Sequence, residues 1–320
     1  MDQKFRPMDQ KYEKPYLISV KFLEKVDNST IARFVNDGLR ELIEPEKLLL
    51  LVTDGVAYMK AAGRALSVFY LNMIHVTCMC HALHRVSEDI RTRLPDVDDL
   101  VNNTKKVFRK APSRVAKFHE MCPDISLPPK PVLTRWGTWI DASNYYCSYY
   151  DEVKAVVHTF DPDDADCILK SQRAFNSTTV KQSLALIKTN YSILPKSIKR
   201  LEEQGLKLNE SLAILQEVKE ELEWIPGEIG NAVNIKLEQV IAKNKGLEKL
   251  MAINRVLIGE KQDDIGMNPD VIAAYKYAQI QSCDVERSFS IYKRILEDKR
   301  TSLTEENIEK LMICNCYYTE

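Results

Sequence analysis

Residues 48–59 read LLLLVTDGVAYM: five apolar residues in a row, then Thr53-Asp54-Gly55. A run this short, closed by a turn signal, is strand-sized. Because it is apolar on both faces it predicts a central, buried strand of a parallel sheet. Open parallel sheets bind ligands at the carboxyl ends of their strands, so Asp54 stands where a metal- or phosphate-directed carboxylate would. The competing reading is that its side-chain oxygen caps the helix that follows.

Upstream, YLISVKFL (16–23) is β-branched and aromatic enough to predict a strand. NSTIARFVNDGLRELI (28–43) follows with helical spacing, Ile31, Phe34, Val35, Leu39 and Leu42 on one side and Asn28 or Ser29 as cap. Downstream, a helix to about Phe69 leads into a short strand, MIHVTC (73–78), and then a helix, HALHRVSEDIRTRL (81–94). The sum is β-α-β-α-β-α with right-handed crossovers. The first fifteen residues nearly duplicate MDQKFRP as MDQKYEKP and read as a polar leader.

Beyond this layer the signals are helical. Residues 101–118 predict a basic helix broken near Pro112, and 126–150 a proline-stiffened connection into an aromatic-rich helix. From 144 to 260 only helical periods occur, the clearest being Ile198, Leu201, Leu208, Leu212, Leu215, Val218 and Leu222. From Asn268 two or three more helices follow, the last capped by Ser302 or Thr304 ahead of Glu305 and Glu306. The expected division is a leader (1–15), the first part of an α/β core (16–125), a helical insertion (126–265) and a helical return that completes the core (266–320).

Composition narrows the functions. The 320 residues are 45% hydrophobic, enough for a sizeable core, and Lys+Arg 45 against Asp+Glu 46 gives a net charge of −1. Nucleic-acid binding must therefore come from a local patch. The eight cysteines, with no secretory leader ahead of them, point to free thiols in a reducing compartment. No apolar run is long enough to cross a bilayer, so the expectation is a soluble intracellular protein without membrane or small-molecule partners.

Four groups of residues carry chemistry. Cys78, Cys80, His81 and His84 cluster within CMCHALH, but a structural zinc site needs a second, separated ligand pair, so the segment reads as buried thiols and a packed histidine. Lys105, Lys106, Arg109, Lys110, Arg114 and Lys117 form a run without an acid, which suits either a phosphate backbone or a solvated helix face. Arg135, Trp136 and Trp139 follow three prolines, where an indole could stack on a base or pack at a helix start. Glu286, in CDVERSFS, lies on a helix whose inward stripe is read as Val285, Phe289 and Ile291, with Glu286 at its margin.

Taken in order, VTDG at a strand end, Cys78-x-x-His81, Arg135-Trp136 after a proline cluster, and ERSFS ahead of DKRTSLTEENIEKLM resemble the hAT superfamily of DNA transposases, in particular its CGG-binding-protein-related members. The resemblance runs from about Tyr16 to Tyr318. It implies a ribonuclease-H-like core interrupted by a helical insertion. It also implies an acidic triad holding Mg²⁺ or Mn²⁺ for strand transfer, with Asp54 matching the second Asp and Glu286 the Glu. Cys78 and His81 match the family's C-x-x-H, and Arg135-Trp136 its RW element. The C-terminal region would dimerise through Ile308, Leu311, Met312 and Ile313, and residence would be nuclear.

The triad's first Asp has no match here. Upstream of Asn28 one strand is expected, fitting the third of the family's sheet, and Asp2 and Asp9 lie in the leader. The resulting expectation is an N-terminally truncated or domesticated, catalytically inactive, transposase-like homodimer that needs no cofactor and contacts DNA through the 105–117 run. The alternatives are a fragment of an active two-metal transposase and a helical interaction scaffold without a nucleic-acid role.

Overall fold

The computed structural model describes residues 16–129, 137–260, 265–296 and 303–318. Asp27 opens the first helix, α1 (Asn28–Leu39): its carboxylate accepts from the Ser29 and Thr30 amides while the Thr30 hydroxyl accepts from the Asp27 amide. This reciprocal cap displaces Asn28 and Ser29 from the role the sequence suggested. Leu42, expected on the inner side of α1, lies past its end and is exposed. Strand β1 (Leu50–Thr53), helix α2 (Ala57–Leu66) and strand β2 (Ile74–Thr77) then form a parallel β-α-β unit with Leu50 beside Ile74 and Thr53 beside Thr77.

Thirteen α-helices follow α3 (Met79–Arg93) among the described residues. They are α4 (Pro95–Phe108), α5 (Pro112–Met121), α6 (Thr138–Ser148), α7 (Tyr150–Val157), α8 (Asp166–Phe175), α9 (Thr178–Asn190), α10 (Ile193–Leu201), α11 (Leu208–Glu223), α12 (Gly227–Ala242), α13 (Lys245–Leu257), α14 (Pro269–Ala274) and α15 (Cys283–Ile295), with α16 (Glu305–Tyr318) closing the chain. The protein is thus mostly helical, with one small two-stranded parallel sheet among the described residues. No helix of the described residues is long and apolar enough to cross a membrane, and all eight cysteines are free.

Two expectations about the sheet fail. YLISVKFL forms no strand; it runs along the C-terminal helices, with Leu17 and Val20 against the buried cluster of Ile295, Ile308 and Met312. Glu309 fixes it, accepting from the Ser19 hydroxyl at 2.7 Å and the Val20 amide at 3.1 Å. Strand propensity reflects fitness for a pleated, half-buried surface, and with no ladder beside it this segment finds such a surface on helices instead. Nor is β1 central: among the described residues it pairs with β2 alone. The register turns the backbone groups of Leu49, Leu51 and Thr53 toward β2, which leaves those of Leu50 and Val52 on an edge that no described strand covers.

The contacts divide the chain at points other than the expected 125 and 265. One compact unit, within the described residues, holds 16–79, 202–212 and the chain from Asn244 onward; the other holds 80–201 and 213–243. The physical reason is that α4 packs on α6, α8 and α9, which draws the helices after β2 into the helical unit, whereas α13 packs on β2. In the α/β unit, Leu66, Tyr70 and Met73 form a buried cluster with Ala32, Val35, Leu48 and Leu51. In the helical unit, Ile198, Leu201, Leu215, Val218 and Leu222 of the expected period are buried, although 202–207 breaks it into α10 and α11.

Helix α15 faces differently from the sequence reading. Val285 (56% exposed) and Phe289 (50%) point to solvent, while Ile291, Tyr292 and Ile295 pack inward on the C-terminal cluster. The helix is apolar on two sides, and the tail α16 selects which one is buried.

Candidate functional site

The carboxyl end of the two-stranded sheet lies beside three residues that the sequence singles out, Asp54, Cys78 and, on α15, Glu286. The Cys78 amide donates to the Thr53 carbonyl at 2.7 Å, extending the ladder past both strands. One residue on, the Met79 amide donates to the Ile280 carbonyl at 2.8 Å, and the Cys78 sulfur accepts from the Ser282 amide at 3.3 Å. These bonds hold the start of α15, and with it the turn carrying Glu286, at the sheet end where Asp54 leaves β1.

Asp54 is half-buried, and its Oδ1 accepts from the Val56 amide at 3.3 Å. That is an Asx turn leading into α2, not a cap, since Val56 itself occupies the capping position and has no side-chain bond. Beneath it, the Thr53 hydroxyl lies 2.9 Å from both the Asp54 carbonyl and His75 Nε2. One hydroxyl proton satisfies both if it goes to the carbonyl and His75 donates from Nε2. Burial, aided by Arg64 and Lys60, holds the His75 imidazole below its ordinary 6.5 and therefore neutral.

Glu286 is half-buried in the first turn of α15 beside Asp284, where the helix dipole favours carboxylates. Arg287 reaches both Asp284 and the Glu202 carbonyl, which anchors that turn. The described residues contain no group of three His, Cys, Asp or Glu side chains placed to hold a metal ion. A two-metal centre needs a fuller carboxylate set than Asp54 and Glu286, so these residues do not fit the Mg²⁺ or Mn²⁺ that the resemblance implies, and no step through a metal is derived.

Two residues of this sheet end were invisible in the sequence. Asn244, 3% exposed, accepts from the Thr77 amide at 3.0 Å and donates to the Thr77 carbonyl at 2.8 Å, so its carboxamide acts as one more rung beside β2. Gly246 lets α13 approach: a Cβ there would overlap the His75 carbonyl. Asn244-Lys245-Gly246 reads as an ordinary helix start, and only the pairing with Thr77 gives it another purpose.

The remaining candidates separate. Cys78 is buried at the end of β2, and His81 sits in the first turn of α3. In the helical unit, Lys106, Arg109 and Lys110 are exposed at the corner between α4 and α5 and make no ion pair with described residues. Lys110 takes a positive φ of 53° there. Lys105 is half-buried on α4, Arg114 donates to the Val107 carbonyl at 3.3 Å, and Lys117 pairs with Glu120 at 3.1 Å. Arg135 and Trp136 lie outside the described residues. Trp139 is core, 3% exposed, its indole donating to Asp98 at 3.0 Å beside the Arg91–Asp98 pair.

The expected dimer residues are also partly used within the chain. Ile308 and Met312 are buried, Leu311 packs against them, and Ile313 is half-buried. Compared with known proteins, the chain matches no protein-family model and no curated protein.

Proposed function

We propose that this chain is a hAT-transposase-like protein with an incomplete ribonuclease-H-like core, acting without catalysis by binding DNA and associating with itself. The observation that supports this reading is the sheet end: the Cys78 amide bonds the carbonyl of Thr53, the neighbour of Asp54, while the Cys78 sulfur accepts from the amide of Ser282, just ahead of the helix that carries Glu286. The resemblance implies that such a sheet end would carry two of the three acids of a two-metal site, and the first Asp of that triad has no match in the sequence. Contact with DNA is assigned to Lys106, Arg109 and Lys110, the part of the basic run left unpaired among the described residues. Self-association is assigned to the outer side of α15, Val285, Phe289 and Leu296, because Ile308 and Met312 are occupied. Nuclear residence belongs to the same reading.

The test is duplex binding and nicking by the purified chain. Three phosphate contacts predict a log–log salt slope of about −2.7, so affinity should fall roughly 40-fold from 50 to 200 mM salt. Replacing Lys106, Arg109 and Lys110 by Ala should abolish that slope. Mg²⁺- or Mn²⁺-dependent nicking lost in Asp54→Ala and Glu286→Ala would instead identify a working enzyme. A second reading, an interaction scaffold without DNA, is favoured by the turn after α2, where Val68 (72%), Phe69 (65%) and Leu71 (86%) stand in solvent. Salt-independent or absent DNA binding would select it.

A further inference from the structure

The helical unit carries a groove that none of the motifs above explains. It measures about 510 Å³, is open to solvent, and is lined by Ile193, Glu217, Glu220, Glu221 and Trp224. Trp224 follows the last turn of α11 and is 80% exposed, whereas Trp139 of the same unit is buried. An indole left in water forgoes the burial that makes tryptophan worth placing in a fold. Here it forms a wall of a concave surface.

The charges around it are equally uneconomical for folding. Glu220, Glu221 and Glu223 occupy the last turn of α11, which has no basic residue. Unpaired carbonyls make that end of a helix negative, so carboxylates there oppose the dipole. Glu217 is paired with Arg200, and Glu220 accepts from Gln216 at 2.7 Å. Glu221 has no partner among the described residues. An exposed indole and dipole-opposed carboxylates are two separate costs to stability, and both fall on one groove.

We propose that this groove binds a lysine or arginine side chain of an extended basic segment in another protein. The cation sits over the Trp224 ring, whose face attracts positive charge, and its N–H groups reach Glu220 and Glu221 in charge-assisted hydrogen bonds. Ile193 receives the aliphatic stem. The field of the carboxylates and the helix end repels nucleic acid and steers a basic peptide. The volume takes a long side chain with flanking backbone, and an open groove gives that backbone an exit on either side.

The experiment titrates the full chain with a fluorescein-labelled, end-blocked octapeptide of arginine and serine in alternation, read by anisotropy, with a citrulline-for-arginine control. The proposal predicts saturable binding, no binding of the control, at least tenfold weakening in Trp224→Ala, and a similar loss in Glu220→Gln/Glu221→Gln. The native circular dichroism of Trp224→Ala, a surface change, would show that the loss is local. Unchanged affinity in Trp224→Ala would overturn the proposal by reducing the effect to diffuse surface charge. So would displacement of the peptide by spermine at equal charge concentration, which would assign the groove to small polycations.

Discussion

Thr77 ends β2 with both outward backbone groups on a single side chain, the carboxamide of Asn244. Removing that side chain leaves a buried amide and carbonyl unpaired, so Asn244→Ala should destabilise the chain by about 1–3 kcal/mol, measured by urea unfolding. The neighbouring His75 makes a pH prediction. Its folded pKa is depressed by burial first, then by Arg64 and Lys60. The unfolded chain therefore binds a proton more readily, and the contribution of neutral His75 is complete above 6.5 and lost as pH falls below it. His84, lowered chiefly by its own burial, acts with the same sign. Unfolding curves between pH 7 and 5 should show falling stability, with a shallower slope in His75→Gln. Asp54 itself was legible as a strand-end acid; its Asx turn to Val56 depends on where α2 begins and was not.

At the scale of elements, α13 meets β2 only because Gly246 has no side chain. Gly246→Ala would drive a methyl into the His75 carbonyl, and the resulting shift should cost about 1–3 kcal/mol and loosen the Asn244–Thr77 pair, visible as faster exchange of the Thr77 amide. Strands β1 and β2 and helices α2 and α3 lie close to where the sequence placed them, whereas α1 ends at Leu39, short of the expected 43, and α4 begins at Pro95, ahead of the expected 101. Two other failures share one cause. YLISVKFL and the apolar residues of α15 are each compatible with two surroundings, and the choice rests on partners distant in sequence: Glu309 for the first, and Ile308 and Met312 for the second. Local pattern fixes the period of an element, not which of two apolar faces is covered.

For the molecule as a whole, the outward side of α15 bears on assembly. If Val285, Phe289 and Leu296 carry self-association, Phe289→Glu should yield monomers in sedimentation velocity at concentrations where the unaltered chain is dimeric, with no loss of helicity because the residue is half exposed. A monomer in both cases would remove homodimerisation from the proposed function. Much of the architecture follows from sequence alone: a β-α-β unit whose first strand runs into Asp54, a long helical stretch, a helical return, and free thiols, because each rests on spacing and composition within a short window. The tertiary structure decided the rest: the edge position of β1 among the described residues, the docking of 16–22 on helices, and the bonds of Cys78 and Met79 to Thr53, Ile280 and Ser282 that bring the start of α15 to the sheet end. Those are contacts between residues tens to hundreds of positions apart, set by which surfaces can be buried together, and no local window contains both sides of them.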